Sequence, residues 1–381
     1  AGALGAAAYA AQRRLEIPPP AAPEPEAPRT RPMGDVLDFD DIHLEFAPNL
    51  VAMVLDPATG LDARITSMRN HVATSFGLIL PEIRLTDDAT LPPGTYRIRL
   101  QGVERVRDRL WPERVLALTQ DGVASPEGND VREPVYGAPA RWIVPDRQED
   151  AALAGLTVVS PTEVLATHLL EVLKGNLSRL LTLKGLRRLL DEFVNLTDSA
   201  RAEANRKLLD ELMPEKVAPD LLLAVLRLLL EERVSIRNLP LILEATAEAR
   251  SLAAPEAICE HVRQRLGFQL VAELKREDGT IPLIQLAPEW ERAFATHQIE
   301  GDRGLRDVAL PPDLFARLAN GLADRLNRAA EGGVFPAVVT STLRRRFLRT
   351  VLAARGLSAP VLSYEEIGLE ARPALVGQVA A

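Results

Sequence analysis

The sequence predicts an α+β multidomain fold: a mixed α/β first subdomain with a small inserted subdomain, a helical third subdomain and a βαβ-containing fourth. Three observations predict it. Residues 42–110 mix alternating apolar runs with one helically spaced apolar face. Residues 176–258 are an almost unbroken helix-forming stretch rich in Leu, Arg and Glu. Residues 334–364 read strand, helix, strand. A length of 381 residues is ample for several domains.

The chain opens on an Ala- and Gly-rich run containing Leu4 and Tyr9, then turns to Gln12-Arg13-Arg14. That run is shorter than the roughly 20 residues a membrane helix needs. Its small residues, interfacial Tyr9 and Arg pair nevertheless suit a helix leaving a membrane on the cytoplasmic side. Residues 1–14 are therefore expected to be the end of a transmembrane helix. Pro18, Pro19, Pro20, Pro23, Pro25, Pro28 and Pro32 make 15–41 an extended, semi-stiff linker with little to bury.

The first subdomain is assigned to 42–110 and 158–180. Ile42 to Asp56 has strand-like apolar content broken at Pro48-Asn49. Leu61, Ile65, Met68, Val72 and Phe76 line one helix face, with Gly77 as its stop. Glu82 to Leu85 and Tyr96 to Leu100 alternate as half-buried strands, with Leu91-Pro92-Pro93-Gly94 turning between them. Residues 111–157, rich in Pro and Gly, form the inserted second subdomain. A helix starts near Pro161, with Val164, Leu165, His168, Leu169 and Val172 inward. The helical third subdomain covers 181–258, with breaks at Met213-Pro214 and Asn238-Leu239-Pro240. The fourth covers 259–367: a hairpin of Gln269 to Leu274 and Ile281 to Leu286 around Asp278-Gly279, a helix at 313–330, then β-α-β. Arg344-Arg345-Arg346 on the last helix is read as a solvated face. Residues 368–381 are left as a tail.

Charge and chemistry narrow the function. Lys and Arg total 45 against 53 Asp and Glu, a net charge of −8 with only 4% aromatics, a poor surface for nucleic acid. A single cysteine, Cys259, excludes an intrachain disulfide. Cys259 and His261 would point about 200° apart on a helix, so they are read as a buried thiol beside a surface histidine. His168 reads as a core histidine. No phosphate loop, zinc spacing or nucleophile elbow occurs, so neither cofactor nor catalytic residue is expected. What stands out is Glu133-Pro134-Val135-Tyr136-Gly137-Ala138-Pro139. Two prolines and a glycine fix the backbone around one aromatic and one acid, which is the composition of an interface anchor or of a structural turn.

Six motifs then occur in one order: Leu44-Glu45 with Leu50-Val51-Ala52-Met53-Val54; Arg64-Ile65-Thr66-Ser67-Met68-Arg69; Tyr136-Gly137-Ala138-Pro139-Ala140-Arg141-Trp142-Ile143; Ala166-Thr167-His168-Leu169; Val234-Ser235-Ile236-Arg237-Asn238-Leu239; and Pro360-Val361-Leu362-Ser363-Tyr364-Glu365-Glu366-Ile367. In these motifs the chain resembles the cytoplasmic region of the FlhA family of flagellar type III protein export gates. The resemblance implies a membrane portion, a linker and four cytoplasmic subdomains at the bacterial inner membrane. It implies a docking and gating platform, not an enzyme, assembled as a nonameric ring. Its implied partners are flagellar export chaperones carrying late substrates, and other export-gate and ATPase-complex components; nucleic acid is not among them. It carries the family's chaperone-pocket acid onto Glu133, the aromatic onto Tyr136 and the threonine onto Thr167. The family usually has Asp and Phe at the first two, so both are conservative departures. A linker contact to the neighbouring subunit maps onto Met33 and Asp35. The alternatives are the homologous gate of a virulence injectisome or, from a different class, a multidomain cytosolic enzyme with an unrecognised site.

Overall fold

The computed structural model describes residues 39–381 apart from 121 and 370. Met33 and Asp35, like the expected membrane-helix end and most of the linker, lie outside the described residues. Residues Asp41–Ala381 form one compact unit.

Strand β1 (Ile42–Phe46) turns Ile42, Leu44 and Phe46 into the core. Pro48 and Asn49 do interrupt it, but the chain beyond them is helical rather than extended: a single 3-10 turn and the short helix α1 (Val51–Val54). Pro48 at the start of that turn supplies a preset φ and needs no N–H partner. Helix α2 (Leu61–Phe76) buries Leu61, Ile65, Met68 and Val72, each worth roughly 1.5–3 kcal/mol of apolar transfer. It ends where Gly77 adopts φ +76°. Strands β2 (Ile83–Asp87), β3 (Thr95–Leu100) and β4 (Val103–Arg109) complete a sheet ordered β2-β1-β3-β4, with β2 parallel to β1.

A second four-stranded sheet comes next. It contains β5 (Val115–Leu118), β6 (Gly128–Arg132), β7 (Pro139–Ile143) and β8 (Val158–Val159) in the order β6-β7-β5-β8, with helix α3 (Gln148–Leu153) before β8. Helix α4 (Pro161–Lys174) begins in a capping box. Ser160 Oγ accepts from the Glu163 amide while Glu163 accepts from the Ser160 amide. Helices α5 (Leu177–Leu180), α6 (Leu183–Val194), α7 (Ser199–Leu212), α8 (Pro219–Glu231), α9 (Leu239–Glu248) and α10 (Pro255–Arg265) then pack around Leu222, Val225, Leu226, Ile242 and Val262. Cys259 is buried within α10, and desolvation pushes its thiol up to about 12.

The expected hairpin around Asp278-Gly279 is corrected. Its first arm is helix α11 (Gly267–Ala272), not a strand. Gly267, Leu270, Val271 and Leu274 turn inward at helical spacing, a period hidden in a short apolar run. Gly267 itself packs so closely that an added Cβ would lie 2.3 Å from the Glu366 carbonyl oxygen. The second arm, β9 (Thr280–Leu286), pairs with distant strands. After α12 (Pro288–Thr296), β10 (Gln298–Glu300), β11 (Arg306–Val308) and α13 (Pro312–Glu331) come β12 (Ala337–Thr340), α14 (Thr342–Ala354), β13 (Val361–Ser363), α15 (Tyr364–Ile367) and β14 (Arg372–Val379). The third sheet runs β13-β12-β9-β14, all parallel, so part of the expected tail is its edge strand.

The basic triplet is also corrected. Arg344 and Arg345 are buried and only Arg346 is exposed. Arg345 lies three residues before buried Leu348, on the inner face of α14. Its guanidinium is matched by Glu260 of α10 and by Glu232 just after α8, while Arg263 pairs with Glu366 at 2.7 Å. Buried charges are tolerated here because acids meet them.

Candidate docking site

The loop joining β6 to β7 is built around Glu133. Its carboxylate accepts from the amides of Val135 (2.7 Å), Tyr136 (2.5 Å) and Ala138 (3.2 Å), and the side chain is buried. Two backbone bonds, Glu133 N–H to the Ala138 carbonyl and Gly137 N–H to the Glu133 carbonyl, close the turn. Gly137 adopts φ +72° with open space beside it, a conformation that other residues rarely adopt. The acid onto which the resemblance carries the chaperone-pocket carboxylate is thus committed to the turn's own amides. It is a positioning residue for what the turn displays.

What the turn displays is Tyr136, 73% exposed. Partial desolvation, and then the Glu171 carboxylate beside its hydroxyl, push its phenol above the ordinary value. Glu171 stands one turn beyond Thr167 on α4, so the two share a face. Lys174 Nζ donates to Glu171 Oε1 at 2.7 Å. The structure therefore brings Glu133 and Tyr136 to the same helix that carries exposed Thr167. Glu171 was missed in the sequence, where its i+4 spacing from Thr167 was the available signal.

Beneath this surface, the buried Tyr96 hydroxyl and His168 Nδ1 are hydrogen bonded at 2.6 Å, with rings edge-on at 5.8 Å. His168 is a core histidine. Burial pulls its imidazole below the ordinary value, opposed by Asp108 and Glu133. The pair pins α4 to β3 and so fixes the height of Thr167.

On its other flank, Thr167 lines a groove of about 570 Å³ between α2 and α4. Ala63, Ser67 and His71, at successive turns of α2, face Ala166, Thr167 and Leu170 of α4. Gly60 closes one end, in a loop tied by Asp56 to the amides of Ala58 and Thr59. Arg64 at the groove pairs with Glu163 at 3.3 Å, both side chains about 40% exposed. Among the described residues no group of His, Cys, Asp and Glu could hold a metal ion.

Known proteins are similar to this chain in architecture and, in part, in sequence. A model of the FHIPEP family matches residues 1–372. The chain is 34% identical over 361 residues to the flagellar biosynthesis protein FlhA of Caulobacter vibrioides, covering 94% of this chain and 50% of that protein. It thus spans about half the length of that relative. Among solved structures, the Chlamydia pneumoniae CdsV protein superposes with a TM-score of 0.72 at 22% identity, over 90% of this chain and 99% of that one. The nonameric EPEC SctV-C gives 0.68 at 19% identity, over 89% and 98%. The two structures share the fold, and the family match covers nearly the whole sequence: the chain belongs to the FHIPEP family.

Proposed function

We propose that this chain is the cytoplasmic docking and gating platform of a flagellar type III export gate, a non-enzymatic part that receives chaperone–substrate complexes. The observation that carries this reading is Tyr136, a largely exposed aromatic on a turn locked by a buried carboxylate, set against the helix of Thr167. Rigid aromatics presented at low entropy cost are what interface anchors are made of. The flagellar branch is favoured over an injectisome gate because the 34%-identical relative is flagellar, whereas CdsV and SctV-C lie at 22% and 19%.

In this reading the full-length protein sits in the bacterial inner membrane, with residues 39–381 on the cytoplasmic side. Among the described residues no helix is long and apolar enough to cross a membrane. Copies assemble as a nonameric ring, as in the nonameric SctV-C, with other export-gate and ATPase-complex components nearby. Glu133 sets the turn, Tyr136 is the anchor and Thr167 is part of the receiving surface. Met33 and Asp35 belong to the linker contact with the neighbouring subunit. The subdomain division at 111–157, 181–258 and 259–367 is part of the same proposal.

Calorimetric titration with a purified flagellar chaperone–substrate complex tests the reading. Binding by the wild-type chain that is weakened in Tyr136→Ala supports it. Equal binding by both chains, or no binding by either, rejects it.

A further inference from the structure

We infer that the cavity enclosed by α10, α11 and the end of α14 binds a small organic acid, a single carboxylate on a short aliphatic body. Neither the Glu133 turn nor α4 lines this cavity, so the inference is independent of the docking reading.

The cavity holds about 300 Å³, at the small end of ligand-binding pockets. Its lining is of two kinds. Leu270 of α11, Leu274 just after it, Leu357 beyond α14 and Leu362 of β13 are apolar. Arg233, Arg263 and Arg349, with Glu232 and Glu273, are charged.

The first argument is unspent donors. Arg263 on α10 is only 2% exposed. Its Nε donates to Glu366 at 2.7 Å and its Nη2 to the Val361 carbonyl at 3.3 Å, but Nη1 has no hydrogen-bond acceptor among the described residues. Glu232 Oε2 stands 3.3 Å from that nitrogen without the alignment of a hydrogen bond. Both Glu232 oxygens already accept from Arg345, at 2.6 and 2.8 Å. Arg349, one turn after Arg345 on α14, is half-buried and its charge acts on Glu232, yet it donates no hydrogen bond among the described residues. Guanidiniums short of an acceptor are best met by a carboxylate, which can take two N–H bonds side by side.

The second argument is backbone. Helix α8 ends with the Val234 amide on the Leu229 carbonyl and the Arg233 amide on the Leu230 carbonyl. That closure puts Arg233 at φ +58°, a position that favours glycine. An arginine kept there, against its backbone cost, brings a third guanidinium to the cavity.

The third argument is selectivity. Glu232 and Glu273 share the lining, so a dianion such as phosphate would meet two carboxylates of its own sign. One carboxylate can lie among the guanidiniums, and the leucines then cover an aliphatic chain. A bound acid ties α10, α11 and α14 together, so occupancy reads out as added stability.

The test uses hexanoate as the probe, beside hexanol, inorganic phosphate and a short peptide ending in a free leucine carboxylate. Each is added to wild-type, Arg349→Gln and Ala353→Trp chains at matched ionic strength. Hexanoate should raise the wild-type melting temperature saturably, half-way at roughly 1 mM. Arg349→Gln removes an unpaired donor and should weaken the response about tenfold. Ala353→Trp, one turn beyond Arg349 at an exposed position lining the cavity, should abolish it. Without hexanoate both variants should melt near wild type, since neither position is fully buried. Methyl NMR of the wild-type chain should place the hexanoate-induced shifts at Leu270, Leu274 and Leu357. No rise with hexanoate, an equal rise with hexanol or phosphate, an undiminished response in either variant, or methyl shifts elsewhere overturns the inference. A peptide that binds more tightly than hexanoate also overturns it, in favour of a site for a chain terminus.

Discussion

Arg345 on α14 grips Glu260 on α10 at two points, Nε to Oε2 at 2.7 Å and Nη2 to Oε1, with both residues buried. The same guanidinium reaches Glu232, so one side chain joins the end of α8, α10 and α14.

Removing that guanidinium leaves two acids without their principal partner. Arg345→Leu should destabilise the chain by about 3–5 kcal/mol, read as a lower urea midpoint. Arg345→Lys should recover only part of the loss, because an ammonium cannot make the two-point contact. A midpoint unchanged in Arg345→Leu would contradict this account.

Acid should weaken the protein at two places. Glu232 is desolvated, which alone would raise its pKa, but the hydrogen bond from Arg345 and the charges of Arg263 and Arg345 hold it below the ordinary value. His168 is held below 6.5 by burial. In both cases the unfolded chain takes up the proton first as pH falls. Stability is therefore complete above the unfolded pKa and lost as pH drops towards the folded one. The histidine part begins below about 6.5 and the glutamate part below about 4.5. Urea midpoints at about pH 7 and pH 5.5 should fall more for wild type than for His168→Asn, which no longer titrates there. Parallel slopes would remove His168 from the explanation.

Tyr136→Ala should cost chaperone–substrate binding about 2 kcal/mol, roughly thirtyfold, with little change in melting temperature because the ring is largely exposed. Tyr136→Phe should be milder, since the ring and its apolar area remain. Collapse of the fold in Tyr136→Ala would instead mark the residue as structural.

Glu133→Ala should behave differently from both. Three amides of a half-buried turn lose their charged acceptor, costing about 1.5–3 kcal/mol of stability. Binding should fall along with it, because Tyr136 is no longer held. Differential scanning calorimetry paired with titration separates this double loss from the single loss in Tyr136→Ala. A full-strength binder with an intact melting temperature would count against Glu133 as the turn's organiser.

How far these features could be read from residues alone depended on whether their cause was local. Helix 61–76 was legible because Leu61, Ile65, Met68 and Val72 carry its burial and Gly77 its stop. A helix starting near Pro161 was legible from Val164, Leu165, Leu169 and Val172 at helical spacing, and Pro161–Lys174 is helical. By contrast, 269–274 looked like a strand because a short apolar run fits either period, whereas 267–272 is a helix whose Gly267 packs against Glu366, about a hundred residues away. Arg345 looked solvated because its partners, Glu232 and Glu260, are equally remote in sequence. At the candidate site, Tyr136 stood out through its flanking prolines and glycine, whereas Thr167 came only through the family resemblance. The inward commitment of Glu133, the nearness of Glu171 and the small-walled groove were not, since each depends on which elements the fold brings together.

The parallel pairing of β9 with β14 has a bearing on how the chain is made. Residues 280–286 cannot acquire that neighbour until 372–379 have left the ribosome, roughly 90 residues later. At about 5–20 residues per second, that delay is on the order of 5–20 seconds. Throughout it one side of β9 has unpaired N–H and C=O groups, a template for other nascent strands. The first sheet faces no such wait, since β1 and its neighbours β2 and β3 all fall within residues 42–100. A translating cell would therefore hold a folded N-terminal half attached to an open C-terminal sheet, and that interval is where protection by a ribosome-associated chaperone would matter most.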